Sequence, residues 1–520
     1  MPALQKDRLH SKKDLETTSR GSLSKTRPGR TDNVNVRKGL PGGQYKPLSD
    51  RDIKRIHETT LRVFAEVGVQ VNFPAARELF HGAGAEVHEA SRVVNVHGGL
   101  VEELIHKAPP IIRLYGRAEN GEWDCEIGGN KVYLGTGGTA LNVQNPGTRN
   151  SRRATLEDVV NMARLVDALD NIHFYMLNVY PNDIPVEGMD VNRFGAGLNG
   201  TRKHVMGGVY TIEGVKNVIE MAEIIAGSPR KLRERPFISM VTCPISPFKL
   251  DESYAQLTME AARNRIPVVV PAEPLCGATA PVTLAGNLVV QNVDTLAGVM
   301  LAQLTSPGTP TLYGCISSIT DLRDMKYLSG AVEMGLMNAA AAQMAQFYLL
   351  PYYATGGMSD SKVNDAQSGY ESAITSLMVA LAGGNFIHDA AGFLEFCMTA
   401  SYDKLVIDNE IIGMVMRAVE GIQVNDETLA FDLIKKTGPG GHFVSARHTR
   451  RHMRSEQYLP QLSDREDRAK WEAAGAKDTR VRASERAREI LNKPRQPAIP
   501  SSIRQRIRTE IPGLRSFVMD

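Results

Sequence analysis

VYLG (132–135), FYMLNV (174–179), VMGGVY (205–210), FISMVT (237–242), PVVVP (267–271), TLYGC (311–315), PYYAT (351–355) and FIHDA (386–390) are eight short apolar runs, each ending in small or polar residues. Strand formers fill them without clean alternation, the pattern of strands buried on both faces, as in a parallel sheet. Helix-length stretches part them, with roughly 30 to 50 residues between successive starts, and eight such units predict an α/β fold, a (β/α)8 TIM barrel. Barrels of this kind carry their chemistry where the strands end, so the residues just past each run are the candidates for function.

The chain has 520 residues, is 42% hydrophobic and carries a formal net charge of +3. That is enough for a large core and too balanced to demand a polyanionic partner. Positive charge gathers in the first forty and last seventy residues, whereas a nucleic-acid enzyme usually has basic residues around its site. The five cysteines, Cys125, Cys243, Cys276, Cys315 and Cys397, are widely spaced, form no CxxC pair and follow no secretory signal. Reduced thiols in the cytoplasm are therefore expected. No apolar run approaches the roughly 20 residues of a membrane span, so neither a membrane nor a nucleic acid is expected as a partner.

Four segments are expected. Residues 1–42, rich in Lys, Arg, Ser and Gly, read as a disordered basic arm. Residues 43–130 read as an N-terminal helical and extended cap, opening with a helix capped by Ser49, with Asp52 three residues on, and ending at Gly68. A further helix covers 100–107 and stops before Pro109 and Pro110. The barrel takes 131–400. Residues 401–520 read as a C-terminal helical extension, with helices over 404–420 and 426–436, a break at Gly438, Pro439, Gly440 and Gly441, and a charged helix over 464–492 suited to an exposed or subunit-covering surface.

Several strand ends carry chemistry. Gly137 with Gly138, Gly207 with Gly208, and Gly356 with Gly357 serve either tight βα turns or the close approach of a bulky, flat reactant. Cys243, Cys276 and Cys315 with His388 are soft ligands for a catalytic zinc, set against the plainer reading of buried cysteines as small hydrophobes. Aromatics gather too: Tyr180, Tyr210, Phe248, Tyr254, Tyr313, Tyr352, Tyr353, Phe393 and Phe396. Ring faces attract quaternary ammonium groups by about 0.5 to 2 kcal/mol each when desolvated. Among the polar groups, Asp321 and Asp365 read as helix caps. Glu273 and His388 lie within or directly after apolar strands and resist that explanation.

Three stretches are similar to the trimethylamine methyltransferase (MttB) family: GGQYKPLSDRDIKRIHE (42–58); TGGMSDSKVNDAQSGYES (355–372) with GGNFIHDAAGFLE (383–395); and GPGGHFVSARHTRRHMRSEQYLPQL (438–462) followed by WEAAGAKD (471–478). The resemblance covers nearly everything after residue 40 and leaves out the basic arm. It implies a (β/α)8 methyltransferase of methanogenesis-type one-carbon metabolism, passing a methyl group from a methylated amine to the Co(I) corrinoid (cobalamin) of a separate small carrier protein. The corrinoid belongs to the carrier and is not tightly held by this chain. Archaeal trimethylamine enzymes of the family bear pyrrolysine in the neighbourhood corresponding to 355–358, where this chain has Gly356 or Gly357. A quaternary amine needs no such activation, because its leaving group is already a neutral amine. The resemblance therefore favours glycine betaine or a related betaine as donor, similar to glycine betaine methyltransferase. Trimethylamine as donor, and a zinc-thiolate methyltransferase on the same barrel, are the alternatives.

On this reading His388 receives the betaine carboxylate, with Lys362 and Arg323 behind it. Glu273 or Asp360 balances the cation, and Tyr313, Tyr353 and Phe393 supply ring faces. Gly356 and Gly357 admit the corrin edge. No residue is assigned as acid or base, no metal is expected on this chain, and a homo-oligomer is expected.

Overall fold

The computed structural model describes residues 39–520, so the expected basic arm lies outside the described residues up to position 38. Its last part is ordered: Leu40–Pro41 forms a short strand antiparallel to Val132 and Lys131, two residues ahead of the expected start at Gly42. Eight strands follow, each falling on one of the eight runs: β1 (Lys131–Thr136), β2 (Tyr175–Met176), β3 (Val205–Gly208), β4 (Ile238–Val241), β5 (Val268–Ala272), β6 (Thr311–Cys315), β7 (Tyr352–Thr355) and β8 (Phe386–Ala391). They pair in parallel in sequence order from β2 to β8, and β8 pairs in parallel with β1.

Closure between β1 and β2 uses a side chain. His173 N donates to Leu134 O at 2.9 Å. Thr136 Oγ1 accepts from Met176 N and donates to Met176 O, both at 2.8 Å. A threonine hydroxyl thus supplies both the donor and the acceptor that a neighbouring peptide would give, and no edge is left open.

Alternation along the strands divides two cores. Phe174, Met176, Met206, Val241, Val269, Leu312, Tyr353 and Phe386 form one apolar cluster inside the barrel, with Phe174 stacked on Phe386. The hairpin Ile112–Leu114 with Cys125–Ile127 adds its side chains to the same cluster beside Tyr133, which closes the barrel at the end where the strands start. Burying each such side chain contributes about 1.5–3 kcal/mol. The outward residues meet the helices: Tyr313 Oη donates to Gln291 Oε1 (2.7 Å) and Asn292 Oδ1 (2.9 Å), and Tyr352 Oη donates to Asn338 O (2.9 Å).

Two polar residues at the start of β3 are satisfied in the interior. Lys203 Nζ donates to Val166 O, Leu169 O and Ile172 O at 2.6, 2.8 and 2.6 Å, holding the carbonyls at and beyond the end of the helix Leu156–Ala168. His204 Nδ1–H donates to Tyr115 O and Nε2 accepts from Ser239 Oγ. Burial pushes its pKa down to about 3, so it is neutral.

The helix Asp50–Glu66 starts at Ser49 with the expected capping box to Asp52 and ends just before Gly68; the next expected helix is Gly98–Ile105. Contrary to the hydropathy reading, one helix, Leu284–Thr305, is long and apolar enough to cross a membrane, but 78% of its apolar window is buried inside the fold. It packs on β5 and β6 and is a core helix.

The C-terminal helices depart from expectation in two places. The helix Tyr402–Glu420 is present, but 426–436 splits into Asp426–Leu429 and Phe431–Thr437, with Ala430 left-handed at φ 51° between them. The charged stretch 464–492 is also two helices, Arg468–Ala473 and Thr479–Leu491. Gly475 at φ 94° turns the chain, and Asp478 caps the second helix by accepting from Val481 N. Charge pattern alone hid both breaks.

Candidate active site

The strand ends of β4 to β8 and the loops after them form one mouth. On β5 the inward alternation Val269, Pro271, Glu273 carries Glu273 just past the last strand residue. Its side chain keeps accessible surface while protein crowds around it. The two facts agree if Glu273 projects into the mouth instead of into packed core. Burial, followed by the negative charge of Asp389, pushes its carboxyl up to about 7.

The other walls follow from which groups act on which. Tyr327 sits on the hairpin Ser318–Asp321 with Lys326–Leu328, after β6. Its hydroxyl is pushed well up, first by burial and then by Glu273, Cys397, Asp389 and Asp360. Cys243, one turn of the pleat beyond β4, is pushed up to about 12 by burial and by Glu273. Cys397 is raised by burial, Asp389 and Glu273. Glu273, Tyr327, Cys243 and Cys397 all titrate upward, first because their surroundings are poorly solvated and then because the carboxylates of Glu273 and Asp389 act on them.

β8 supplies the strained part. Its register against β1 shifts between Ile387 and Ala391, a bulge, and Asp389 within it is left-handed at φ 59°. A branched carboxylate residue held there marks a site where the surrounding structure over-determines the backbone. Room for it comes from Gly137 at the end of β1: a Cβ there would lie 1.5 Å from Asp389 Oδ1 and 2.5 Å from Asp389 N. Asp389 is 3% exposed, and its Oδ1 has no hydrogen-bond partner. A buried carboxylate oxygen in that state is costly unless a donor or cation meets it.

His388 precedes it and is also buried. Thr355 Oγ1 donates its one proton to Cys315 O at 2.8 Å, so the 2.5 Å contact between Thr355 Oγ1 and His388 Nε2 has the imidazole as donor. Nδ1 lies 3.0 Å from Asp389 Oδ2 and is itself buried without a hydrogen-bond partner. The ring stacks on Tyr353, centroids 4.1 Å apart.

Of the residues expected at the site, the structure brings together Glu273, His388 and Tyr353, with Asp360 close enough for its charge to reach Tyr327. Tyr353 is a support and not a ring face for a ligand, since His388 covers it and its hydroxyl meets Met176 Sδ. Asp360 is engaged: its Oδ1 accepts from Ser329 N, Ser329 Oγ and Gly330 N, tying the loop after β7 to the loop after β6. Tyr313 lies outside the barrel among the helices. Phe393 is buried in a hairpin with Ala400.

Three expectations are corrected outright. Arg323 is 89% exposed and paired with Asp321 at 2.6 Å, which also makes Asp321 a turn residue and not a helix cap. Lys362 Nζ donates to Asp360 O and lies over the Phe396 ring at 4.0 Å. Gly356 and Gly357 make room for protein: a Cβ on Gly356 would meet Thr375 O at 3.3 Å, and one on Gly357, at φ 106°, would lie 2.6 Å from Ala390 Cα. Asp365, by contrast, caps the helix Ala366–Leu381 as expected.

The zinc-thiolate alternative loses its ligands. Cys276 Sγ lies 3.9 Å from Met337 Sδ, and Cys315 shares the outward face of β6 with Tyr313. Among the described residues no three of His, Cys, Asp and Glu are grouped to hold a metal. Tyr327 and Cys397 were missed because they lie on loop excursions, away from the ends of regular strands. The signal available was LRDMKYL (322–328), a turn between two short extended pieces.

A 550 Å³ apolar groove is lined by Thr59, Val63, Pro247, Phe248, Pro281 and Val290. It borrows Pro247, Phe248 and Pro281 from the loops after β4 and β5, but Glu273, Asp389, Tyr327, Cys243 and Cys397 are absent from its walls.

The chain is 39% identical over 462 residues to the trimethylamine methyltransferase MttB of Desulfitobacterium hafniense, covering 89% of this chain and 92% of that protein. It is 37% identical over 460 residues to MttB of Methanosarcina barkeri, covering 87% and 92%. It is 34% identical over 462 residues to a glycine betaine methyltransferase of Desulfitobacterium hafniense, covering 88% and 95%. Among solved structures, the monomethylamine methyltransferase MtmB of Methanosarcina barkeri aligns at TM-score 0.45 and 12% identity, covering 90% of this chain and 98% of that one. The family profile described as trimethylamine methyltransferase (MTTB) matches residues 18–512, and the chain belongs to that family of methyltransferases.

Proposed function

We propose that this methyltransferase takes its methyl group from a quaternary ammonium compound and delivers it to the Co(I) corrinoid of a carrier protein. The observation that carries the reading is Glu273, an accessible carboxylate facing the mouth beside the unpartnered Asp389 oxygen. Such a mouth favours a permanent cation. The aromatic share is smaller than the sequence predicted: Tyr327 on the rim remains as a ring face, whereas Tyr210 carries the Arg193 guanidinium 5.4 Å from its ring centroid.

The chain's residues would bind and orient the donor and exclude water from it. Glu273 holds the ammonium group, while His388, fixed by Thr355 and Tyr353, packs against Asp389. In the transfer the C–N bond breaks with its electron pair left on nitrogen, so a neutral amine departs and no proton donor is needed. Catalysis then rests on orientation and desolvation. A docked Co(I) corrinoid would supply the nucleophile.

The mouth fits such a partner in one respect. Its loops expose Ile245, Val282, Leu322, Met325 and Met398, an apolar rim that a carrier can cover, and a Cβ on Gly208 would meet nothing within 4 Å. Gly208, not Gly356 or Gly357, would admit a flat ring. Absence of pyrrolysine over 355–358 favours a quaternary donor over trimethylamine. Association with a second copy is also proposed, supported by Ile422, Val424, Phe431 and Val444, which are 87, 73, 69 and 79% exposed on the segment after Gly421.

The test mixes enzyme, Co(I) cobalamin and a panel of methylated amines, and follows cobalt methylation by absorbance. Turnover with quaternary amines supports the reading. Turnover with trimethylamine alone would overturn it.

A further inference from the structure

We propose that Thr320 reads the fourth substituent of the donor, its hydroxyl donating to an oxygen carried there, so that a quaternary ammonium with an acceptor oxygen on its tail is preferred to one with alkyl groups alone. This rests on the reading of the mouth as an ammonium site and adds a specificity residue to it.

Thr320 lies in the hairpin Ser318–Asp321 with Lys326–Leu328, directly opposite Tyr327 in the ladder, and opposed residues of an antiparallel pair project to the same face. The residue before it marks the other face. Ile319 pairs in parallel register with Cys276, whose Sγ lies 3.9 Å from Met337 Sδ on the helix Val332–Phe347. Alternation therefore turns Thr320 and Tyr327 away from that helix, to the side where Glu273 stands two residues ahead of Leu275, the partner of Ser318. The hairpin is held along both strands: Leu275 and Cys276 pair with the first, and Asp360 Oδ1 accepts from Ser329 N, Ser329 Oγ and Gly330 N just past the second.

Thr320 is 7% exposed, and its Oγ1 has no hydrogen-bond partner among the described residues. Neighbouring hydroxyls are engaged: Ser318 Oγ donates to Leu328 O, and Ser329 Oγ donates to Asp360 Oδ1. Buried hydroxyls are nearly always paired, because an unpaired one costs its desolvation with no compensating bond. Packing alone would be served by valine, which has the same shape and no such cost. Ser317 Oγ and His388 Nδ1 are also buried without partners, but Ser317 precedes the ladder and Nδ1 lies 3.0 Å from Asp389 Oδ2. Thr320 is the one that the ladder sets on the face of Tyr327, and an oxygen on the donor would complete it.

The test titrates the full chain by calorimetry at pH 8, without cobalamin, with tetramethylammonium, choline and glycine betaine, and compares wild type with Thr320→Val and Thr320→Ser. In the wild type at least one of the two oxygen-bearing cations should bind about fivefold or more tighter than tetramethylammonium. Thr320→Val should abolish that preference and leave tetramethylammonium within about twofold, while Thr320→Ser, which keeps the hydroxyl, should retain it. Equal binding of the three cations by the wild type, a preference that survives in the valine variant, or one lost equally in both variants would overturn the inference and leave the ammonium site standing. Failure of all three to bind the wild type would overturn the site itself.

In the cobalt methylation assay Thr320→Val should raise KM for the preferred oxygen-bearing donor by about fivefold and leave kcat within about twofold, because the contact is made equally in the ground and transition states. A fall in kcat at unchanged KM would overturn the inference. Denaturant unfolding gives a check that uses no ligand: with Oγ1 unpaired, the valine variant should be at least as stable as the wild type. A lower unfolding midpoint would show that the hydroxyl is bonded within the fold and would overturn the inference.

Discussion

His388 lies flat on Tyr353, planes 14° apart and centroids 4.1 Å apart, so a residue of β7 sets the orientation of the imidazole that abuts Asp389. Replacing it, His388→Ala, frees Asp389 and removes the contact to Thr355. The expected outcome is a fall in kcat/KM for the ammonium donor of about tenfold or more, some 1.4 kcal/mol of transition-state stabilisation, with the far-UV circular dichroism retained. Unchanged turnover at limiting donor would remove His388 from the site.

Gly137 and Asp389 are predicted to act as a unit. A methyl group on Gly137 would occupy the position of Asp389 Oδ1, so Gly137→Ala should cost activity about as much as Asp389→Ala. The double variant should be little worse than either alone. Additive losses in that double-mutant cycle would show that the two residues act separately.

The pH profile follows from Glu273. Its carboxyl in the folded chain stands near 7, and only the ionised form attracts a cation that itself does not titrate. Binding should therefore be weak below pH 6, rise through about 7 and level off above, and Glu273→Gln should flatten the rise. At pH 6 the cation should expel up to one proton, read from calorimetry in buffers of different ionisation enthalpy. A profile that falls with pH would contradict the assignment.

Asp294 offers a test of stability away from the mouth. It sits in the core helix with Oδ1 accepting from Phe248 N at 2.6 Å and Oδ2 buried without a hydrogen-bond partner. Burial pushes its carboxyl up to about 7. The folded chain then binds the proton more tightly than the unfolded chain, so this group's contribution is present below about pH 4 and lost as pH rises to 7. Asp294→Asn should stabilise the protein at pH 8 by about 2 kcal/mol, with little change at pH 4.5. Denaturant unfolding at the two pH values measures it; an equal effect at both would show that ionisation is not the cause.

Strand existence and order were legible because a parallel strand must be apolar on both faces, and that requirement writes itself into residues such as Val268, Val269 and Val270 whatever they touch. The Ser49 cap was legible because capping acts over three residues, and the family because its motifs are contiguous. Which side of the barrel a strand residue faces was not. Tyr313 and Tyr353 sit in similar runs, but one points to the helices and the other to the interior, a choice that depends on register between strands. The placement of Arg323 on an outer turn, the gathering of Tyr327 and Cys397 over Glu273, and the fit of Asp389 against Gly137 join residues separated by up to 252 positions. The sequence by itself determined a methyltransferase barrel and Glu273 at its mouth. Only the tertiary structure decided that Tyr327, Cys243, Cys397 and Asp389 act on Glu273 at one mouth, because the surroundings of a site are the sum over neighbours that the chain brings together only when it closes.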